Sequence, residues 1–180
     1  MISIRVERKR ESYDYRADPN KPLGFENNWK NNSLDSLLVF DDLEMVMRLN
    51  CQTVANYCFG VNAGAKDNPH ISTVAPGEFT VRAFVEPRSF HGEIHAITRT
   101  KDIGGKWIDH NAMQIYSDVY QLGRWLIHDK HSNELNRDTN YAWSAGCFIL
   151  SSADLRNLNA CLRSKGVKPG DLIPGTLLEV

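Results

Sequence analysis

The sequence predicts a mainly β protein, a β-rich α+β chain with a single helix near its carboxyl end. Its 180 residues are the length of one domain, so we expect one domain over residues 1–180. Most apolar segments are short and alternate with polar residues, which is typical of half-buried strands. Only residues 151–166 join a capping signal to apolar residues at helical spacing.

The first half of the chain predicts three strands and two long surface loops. Residues 2–8 alternate apolar and polar side chains and predict the first strand. A segment rich in Asn, Asp, Lys and Pro follows and predicts a long surface excursion. Residues 37–40 and 44–49 are apolar runs joined by two aspartates, which predicts a hairpin. Residues 52–77 predict a second long loop, of a kind that is more often functional than accidental.

The second half of the chain predicts further short strands. Residues 78–85 alternate well and follow a Pro-Gly turn. Residues 101–111 are rich in turn-forming side chains and predict a turn region. The remaining strand candidates are residues 93–98, 124–128, 147–150 and 175–180.

The predicted helix has both a start and a stop signal. Ser151 can cap its first turn, and Asp154 lies three residues later, as in a capping box. Gly166 is placed to end the helix. One apolar stripe runs between these signals, formed by Leu155, Leu158 and Leu162.

The charge balance excludes a nucleic-acid-binding surface spread over the protein. Lys and Arg number 21 and Asp and Glu number 22, so 21 − 22 gives a formal net charge of −1. The triplet Arg8-Lys9-Arg10 is flanked by Glu7 and Glu11, and we expect it to be a solvated strand end. No apolar run approaches the roughly 18 residues of a membrane span, and the amino terminus lacks the apolar stretch of a signal peptide.

The four cysteines do not decide whether the protein works in an oxidising or a reducing compartment. None of the spacings gives Cys-x-x-Cys, so zinc ribbons and thioredoxin-type sites lack their first requirement. Cys161 lies on or near the apolar stripe of the helix and is expected to be a buried free thiol. Cys51 and Cys58 can pair in an oxidising space or remain free, and the sequence does not decide between these states.

A histidine and the remaining cysteine are the strongest candidates for catalysis. Cys147 follows Gly146 at the junction of a loop and an apolar strand, and two successive N–H groups beside a thiol match an oxyanion hole. A nearby imidazole activates a thiol, and His128 ends a strand that can lie beside Cys147. Asp129, or a backbone carbonyl, is expected to orient the imidazole.

The same segment resembles the active-site motif of the L,D-transpeptidase catalytic domain, in which a histidine precedes a Ser-His-Gly-Cys element. Here His128 precedes Ser144-Ala145-Gly146-Cys147. Upstream, residues 73–81 are similar to the Thr-Pro-x-Gly-x-Tyr/Phe strand entry of that family. Residues 152–158 are similar to the short helix that usually follows the cysteine. These pieces occur in the family's order over residues 73–160.

The resemblance implies a β-sandwich or barrel with one helix after the catalytic cysteine. It implies an L,D-transpeptidase or L,D-carboxypeptidase type of enzyme, in which Cys147 attacks a peptidoglycan stem peptide and forms a thioester. In this reading His128 is the base, Gly146 belongs to the oxyanion hole, and Ser144 shapes the loop. No metal or organic cofactor is implied, and the expected partner is the stem peptide.

The substrate that the resemblance implies also predicts where in the cell the protein acts. A stem peptide places the site of action in the periplasm, whereas the absence of a recognisable signal peptide favours a cytoplasmic chain. A secreted antibacterial effector or a phage-associated protein would reconcile the two, with a secretion partner or an immunity protein as its partner. We expect no transmembrane segment and no nucleic-acid partner.

The alternative function is a non-catalytic cell-wall-binding or structural domain that retains the fold. Ala145 stands where the family usually has a second histidine. Phe148-Ile149 replaces the Ile/Val-Arg that normally follows the cysteine, which removes a cation that helps to position substrate carboxylates.

A zinc site built from histidines is a further alternative. His91 and His95 share one face of a strand, since side chains alternate between the two faces. His110, His128 or His131 would have to complete the ligand set. No compact motif such as His-Glu-x-x-His occurs, so we expect structural or surface histidines and no metal.

Overall fold

The structure is a computed structural model of the protein. It contains the predicted helix and strands in both halves of the chain. It describes residues 1–15, 35–54, 74–85, 93–101, 107–109, 125–130, 144 and 146–180. Strands predominate in these residues, and one α-helix near the carboxyl end accompanies them. The prediction of a mainly β fold with one helix is therefore confirmed. The segments predicted as long loops fall largely outside the described ranges.

The strands of the described residues form one continuous sheet. In chain order the elements are β1 (Ile2–Arg8), a 3₁₀ helix (Arg10–Tyr15), β2 (Asp35–Asp41), β3 (Glu44–Cys51), β4 (Gly77–Val85), β5 (Ile94–Lys101), β6 (Trp107–Asp109), β7 (Leu126–His128), β8 (Phe148–Ile149), α1 (Ser152–Ser164) and β9 (Leu172–Glu179). The sheet order is β3-β2-β1-β9-β4-β5-β7-β8, and β6 pairs with β5. An antiparallel bridge from Gln52, just after β3, to Ile149 in β8 joins the two ends, so the sheet nearly closes into a barrel.

The first and last of these strands lie side by side in the middle of the sheet. β1 pairs with β9 in parallel, from Ile4 opposite Gly175 to Arg8 opposite Glu179. On its other side β9 pairs antiparallel with β4. β9 therefore joins two groups of strands that are each contiguous in the chain, β1 to β3 and β4 to β8.

The predicted hairpin and helix signals are confirmed. β2 and β3 pair as a hairpin, with Asp42 at its turn in the left-handed region at φ 54°. Ser151 is the N-cap of α1, and its side chain accepts a hydrogen bond of 3.0 Å from the Asp154 N–H. After the C-cap Lys165, Gly166 has φ 80°, a conformation that glycine adopts without strain.

Two strands differ from the sequence predictions. Residues Trp107–Asp109 form β6 inside the predicted turn region, because this triplet pairs with the edge of β5. β9 begins at Leu172, earlier than predicted, and includes Pro174, which has no N–H to donate. Proline is tolerated there because this part of β9 pairs only with β4, and pairing with β1 starts at Gly175.

A close approach in the middle of the sheet determines where β8 begins. Gly175 lies opposite Phe79, and a Cβ at Gly175 would lie 2.2 Å from Phe79 Cε2. The Phe79 ring packs edge to face on Phe148, with 5.7 Å between centroids. Because Phe148 directly follows Cys147, this packing supports the backbone that carries the candidate nucleophile.

A buried histidine attaches the helix to the sheet. His95 in β5 is fully buried, and its Nδ1 accepts a hydrogen bond of 3.1 Å from the Phe84 N–H. Its Nε2 must then carry the proton and donate to Asn159 Oδ1 in α1, 2.7 Å away. Burial lowers the pKa of His95 to about 4, so the ring is neutral at physiological pH. The expectation of a structural histidine is confirmed at this position.

Within the described ranges, neither helix has the length and apolarity that crossing a membrane requires.

Adding a methyl group at Gly175 tests the contact with Phe79. We expect Gly175→Ala to lower the free energy of unfolding by about 1–3 kcal/mol, because the new Cβ forces the ring out of its position. Urea unfolding followed by circular dichroism measures this change. In a Phe79→Leu background the loss should be smaller, and an equal loss in both backgrounds would contradict the contact.

The neutral state of His95 predicts acid sensitivity. Because its folded pKa of about 4 lies below the ordinary value of 6.5, its contribution is complete above pH 6.5 and is lost as the pH falls to about 4. The difference between the folded and the ordinary pKa of His95 corresponds to roughly 3 kcal/mol of unfolding free energy. Urea unfolding at pH 7 and at pH 4.5 measures it. The decrease should become smaller in His95→Gln, and an unchanged decrease would assign the acid sensitivity to other groups.

Candidate active site

Parallel pairing of two short strands brings the candidate histidine and cysteine together. Ile127 lies opposite Phe148, and His128 lies opposite Ile149. Paired residues point to the same face of a sheet, and side chains alternate along each strand. Cys147 therefore shares a face with Ile149 and His128, at the beginning of β8. His128 is a diagonal neighbour of Cys147, at the roughly 7–8 Å between Cβ atoms that is typical of such positions.

The Cys147 thiol is buried beside backbone donors. The residue is only 9% exposed, and its Sγ accepts a hydrogen bond of 3.3 Å from the Leu126 N–H. Burial raises the pKa of the Cys147 thiol to about 12. Hydrogen bonds from the Leu126 N–H and from the cysteine's own backbone act in the opposite direction. At rest the thiol is therefore protonated, and the donors around it are placed to stabilise a thiolate once the proton leaves.

The orientation of His128 is set by main chain. Its Nδ1 lies within hydrogen-bonding distance of the Asp129 carbonyl oxygen. A carbonyl only accepts, so Nδ1 must donate, and Nε2 is the nitrogen that takes up a proton. The sequence left open whether the Asp129 carboxylate or a carbonyl would orient the ring. In the structure the main-chain oxygen of Asp129 does so, and the residue itself is buried.

Ser144 braces the turn that leads into the cysteine. Its hydroxyl donates a hydrogen bond of 3.0 Å to the Cys147 carbonyl oxygen and accepts one of 3.0 Å from the Gly146 N–H. Gly146 has φ 136°, a conformation that side chains rarely permit. Because its N–H is bonded to Ser144, the predicted use of the Gly146 amide in an oxyanion hole requires that bond to be exchanged for one to the substrate.

Gln52 adjoins this site and was not found by sequence reasoning. It exchanges two backbone hydrogen bonds with Ile149, of 2.9 and 2.8 Å. Ile149 pairs with His128 on its other side, so the side chains of Gln52, Ile149 and His128 share one face across three strands. Gln52 is completely buried. A long-range bridge of this kind leaves no local signal in the sequence.

A buried ionic and polar cluster holds the chain next to Gln52. Arg8 Nε donates to Thr53 Oγ1 at 2.7 Å, and Nη2 donates to the Thr53 carbonyl at 3.0 Å. Asp35 Oδ2 accepts from both the N–H and the hydroxyl of Thr53, at 3.1 and 2.6 Å. The expectation of a solvated strand end is wrong for Arg8, which is fully buried, because Thr53, Tyr13 and Val74 satisfy its guanidinium. Lys9 and Arg10 are exposed, as expected, although Arg10 begins the 3₁₀ helix.

The other candidate residues take no part in a described metal or redox site. Among the described residues, no group of three or more potential ligands could hold a metal ion. Cys51 and Cys147 are free and buried, and Cys161 is free and half-buried, less enclosed than expected. The candidates that lie outside the described residues are Cys58, His91, His110, His131 and Ala145.

Known proteins resemble this chain in structure and in sequence. No protein-family model matches the sequence. A solved L,D-transpeptidase structure (residues 123–326) from Xylanimonas cellulosilytica superposes with a TM-score of 0.42 and 15% identity, over 98% of this chain and 60% of that one. The chain thus spans about three fifths of that structure, and the score is too low to transfer residues or activity.

Another protein is much more similar to this chain in sequence. An uncharacterized protein of Treponema pallidum (strain Nichols) is 54% identical over 180 residues, which cover 99% of this chain and 81% of that protein. With identity at this level over almost its whole length, the chain belongs to the same protein family as this Treponema protein.

Proposed function

We propose that the protein is a cysteine-dependent acyl-transfer enzyme of the L,D-transpeptidase or L,D-carboxypeptidase type that acts on peptidoglycan stem peptides. The observation that carries the proposal is the pairing of β7 with β8, which puts Cys147 and His128 on one face. The motif resemblance supplies the substrate class. The Treponema relative carries no described activity and neither supports nor opposes it.

The first half-reaction forms a thioester. His128 Nε2 accepts the thiol proton of Cys147 as sulfur attacks the carbonyl carbon of the scissile peptide bond. Backbone N–H groups near Cys147 stabilise the resulting oxyanion. The C–N bond then breaks, the imidazolium returns its proton to the leaving amine, and the stem peptide remains attached to sulfur.

The second half-reaction releases the acyl group. A water molecule or an amine attacks the thioester carbonyl while His128 accepts a proton from the attacking atom. The C–S bond breaks, the thiol regains a proton, and the product is a carboxylic acid or a new peptide bond. Water gives carboxypeptidase or endopeptidase activity, and an amine gives transpeptidation. The thiol and imidazole carry every step, so the proposal needs no cofactor.

In this scheme the Cys147 thiol proton has to leave as the sulfur attacks the substrate carbonyl. Since burial raises the pKa of the Cys147 thiol to about 12, a resting thiolate–imidazolium pair is not the starting state. The Leu126 N–H, 3.3 Å from sulfur, lowers the energy of the thiolate as it forms. His128 acts here as a general base.

The stem-peptide substrate also sets the expected location and partners. Peptidoglycan lies outside the cytoplasmic membrane, so the proposed site of action is the periplasm. A secretion partner or an immunity protein belongs to the proposal if the chain acts as an antibacterial effector or as a phage-associated protein.

A non-catalytic cell-wall-binding or structural domain is the second candidate function. The burial of Cys147, with 9% of its surface exposed and a raised thiol pKa, favours it. The absence of an arginine after the cysteine, where Phe148 and Ile149 are both fully buried, points the same way. This candidate predicts muropeptide binding without any covalent adduct.

The proposed chemistry is tested by intact-protein mass spectrometry with tetrapeptide-bearing muropeptides. The wild-type protein should give a thioester adduct or a released product, and Cys147→Ala should give neither. His128→Ala should slow acylation by about 10²–10⁴-fold, the usual contribution of a general base. Cys161→Ala is the matched cysteine control and should behave as wild type. A product that persists in Cys147→Ala refutes the assignment, and binding without an adduct supports the second candidate.

The resting state of the thiol is tested by alkylation with iodoacetamide and peptide mapping. At pH 8 the native Cys147 should react roughly 100- to 1,000-fold more slowly than in urea, because the raised pKa keeps it protonated. Of the three described cysteines, half-buried Cys161 should react first in the folded protein. Native labelling of Cys147 as fast as in urea would show a preformed thiolate instead.

A further inference from the structure

Gln52 carries a buried acceptor that no described group satisfies. The residue is 0% exposed, and its Oε1 has no hydrogen-bond partner in the structure, whereas Nε2 donates to the Val54 carbonyl at 3.2 Å. A buried acceptor without a donor destabilises the folded state, because it has lost its hydrogen bonds to water. An apolar side chain of similar length would avoid this cost.

The amide group has a fixed orientation. A side-chain amide can exchange its oxygen and nitrogen by rotating, but rotation here would set Oε1 against the Val54 carbonyl. The contact with Val54 therefore keeps Oε1 as the atom of the amide that has no hydrogen-bond partner among the described residues. Only an N–H or O–H donor can satisfy it.

The position of Gln52 relates it to the candidate catalytic pair. Ile149 is flanked by His128 on one side and by Gln52 on the other. Cys147 lies two residues before Ile149, so it is a diagonal neighbour of both His128 and Gln52. Diagonal neighbours have Cβ atoms roughly 7–8 Å apart, within reach of a long side chain or of a group bound between them.

We propose that Gln52 Oε1 accepts a hydrogen bond from an amide N–H of the stem peptide and so positions the scissile bond at Cys147. The inference rests on the proposed function, since it assigns a contact to that substrate. A peptide supplies N–H donors at short intervals, and the carbonyl oxygens of Cys147 and Asp129 already have hydrogen-bond partners. Gln52 adds the acceptor that a substrate amide needs.

The substitution Gln52→Met separates this role from a structural one. Methionine keeps the length of the side chain and removes the acceptor. It also removes the bond to Val54, and this loss is offset by relief of the unsatisfied oxygen, so thermal stability should be unchanged or higher. Asn50→Met is the matched control, because it replaces an exposed amide on β3, two residues before Gln52.

Binding and catalysis are measured with tetrapeptide-bearing muropeptides. In a Cys147→Ala background, which cannot be acylated, we expect Gln52→Met to weaken the muropeptide Kd by about tenfold in calorimetry, as expected for one lost hydrogen bond to a buried group. In the protein with Cys147, KM should rise by about the same factor while kcat changes little. Asn50→Met should change neither quantity.

The possible outcomes distinguish this inference from the proposed function. An unchanged Kd and KM in Gln52→Met overturns the role of Gln52 and leaves the proposed chemistry standing. A large loss of thermal stability also overturns it, since the residue would then be structural. Binding that depends on Gln52 without any Cys147 adduct supports the contact and refutes the chemistry. An absence of muropeptide binding in Cys147→Ala overturns both.

Discussion

The pair of backbone hydrogen bonds between Gln52 and Ile149 is the constraint on which the site depends. It joins the end of β3 to β8 and brings the two ends of the strand order together. β8 has only two residues, and β7 on its other side has three. A pair formed by these two short strands alone would not be stable. The buried Arg8 and Asp35 groups fix Thr53, and so hold Gln52 in register for this bridge.

Burial keeps one histidine and one cysteine of the core neutral, and this shapes the chemistry. His95 and Cys147 are both held uncharged, since burial lowers the pKa of the first and raises that of the second. Negative charge on the Cys147 sulfur therefore arises only while its proton moves to the imidazole. Backbone donors such as the Leu126 N–H have a fixed direction, so they stabilise that transient charge without reorganising.

Local signals in the sequence predicted much of the fold. The cap at Ser151, the glycine after α1 and the hairpin aspartates specify conformations through neighbouring atoms, and the structure confirms them. The sequence could not reveal that Arg8 is buried, because its partner Thr53 is distant in the chain. Likewise, Cys147 and His128 were found from residue chemistry and a motif, whereas Gln52 reaches the site only through long-range pairing.

The place of β9 has a consequence for how the protein is made. It lies between β1 and β4, so residues 172–179, the last strand in the described chain, complete a sheet whose first strand was synthesised first. Until β9 emerges from the ribosome, β1 and β4 each present an unpaired edge. Contacts between sequence-distant strands form slowly, and exposed edges favour association with other chains. The sheet of this protein therefore closes late in synthesis, when residues 172–179 become available.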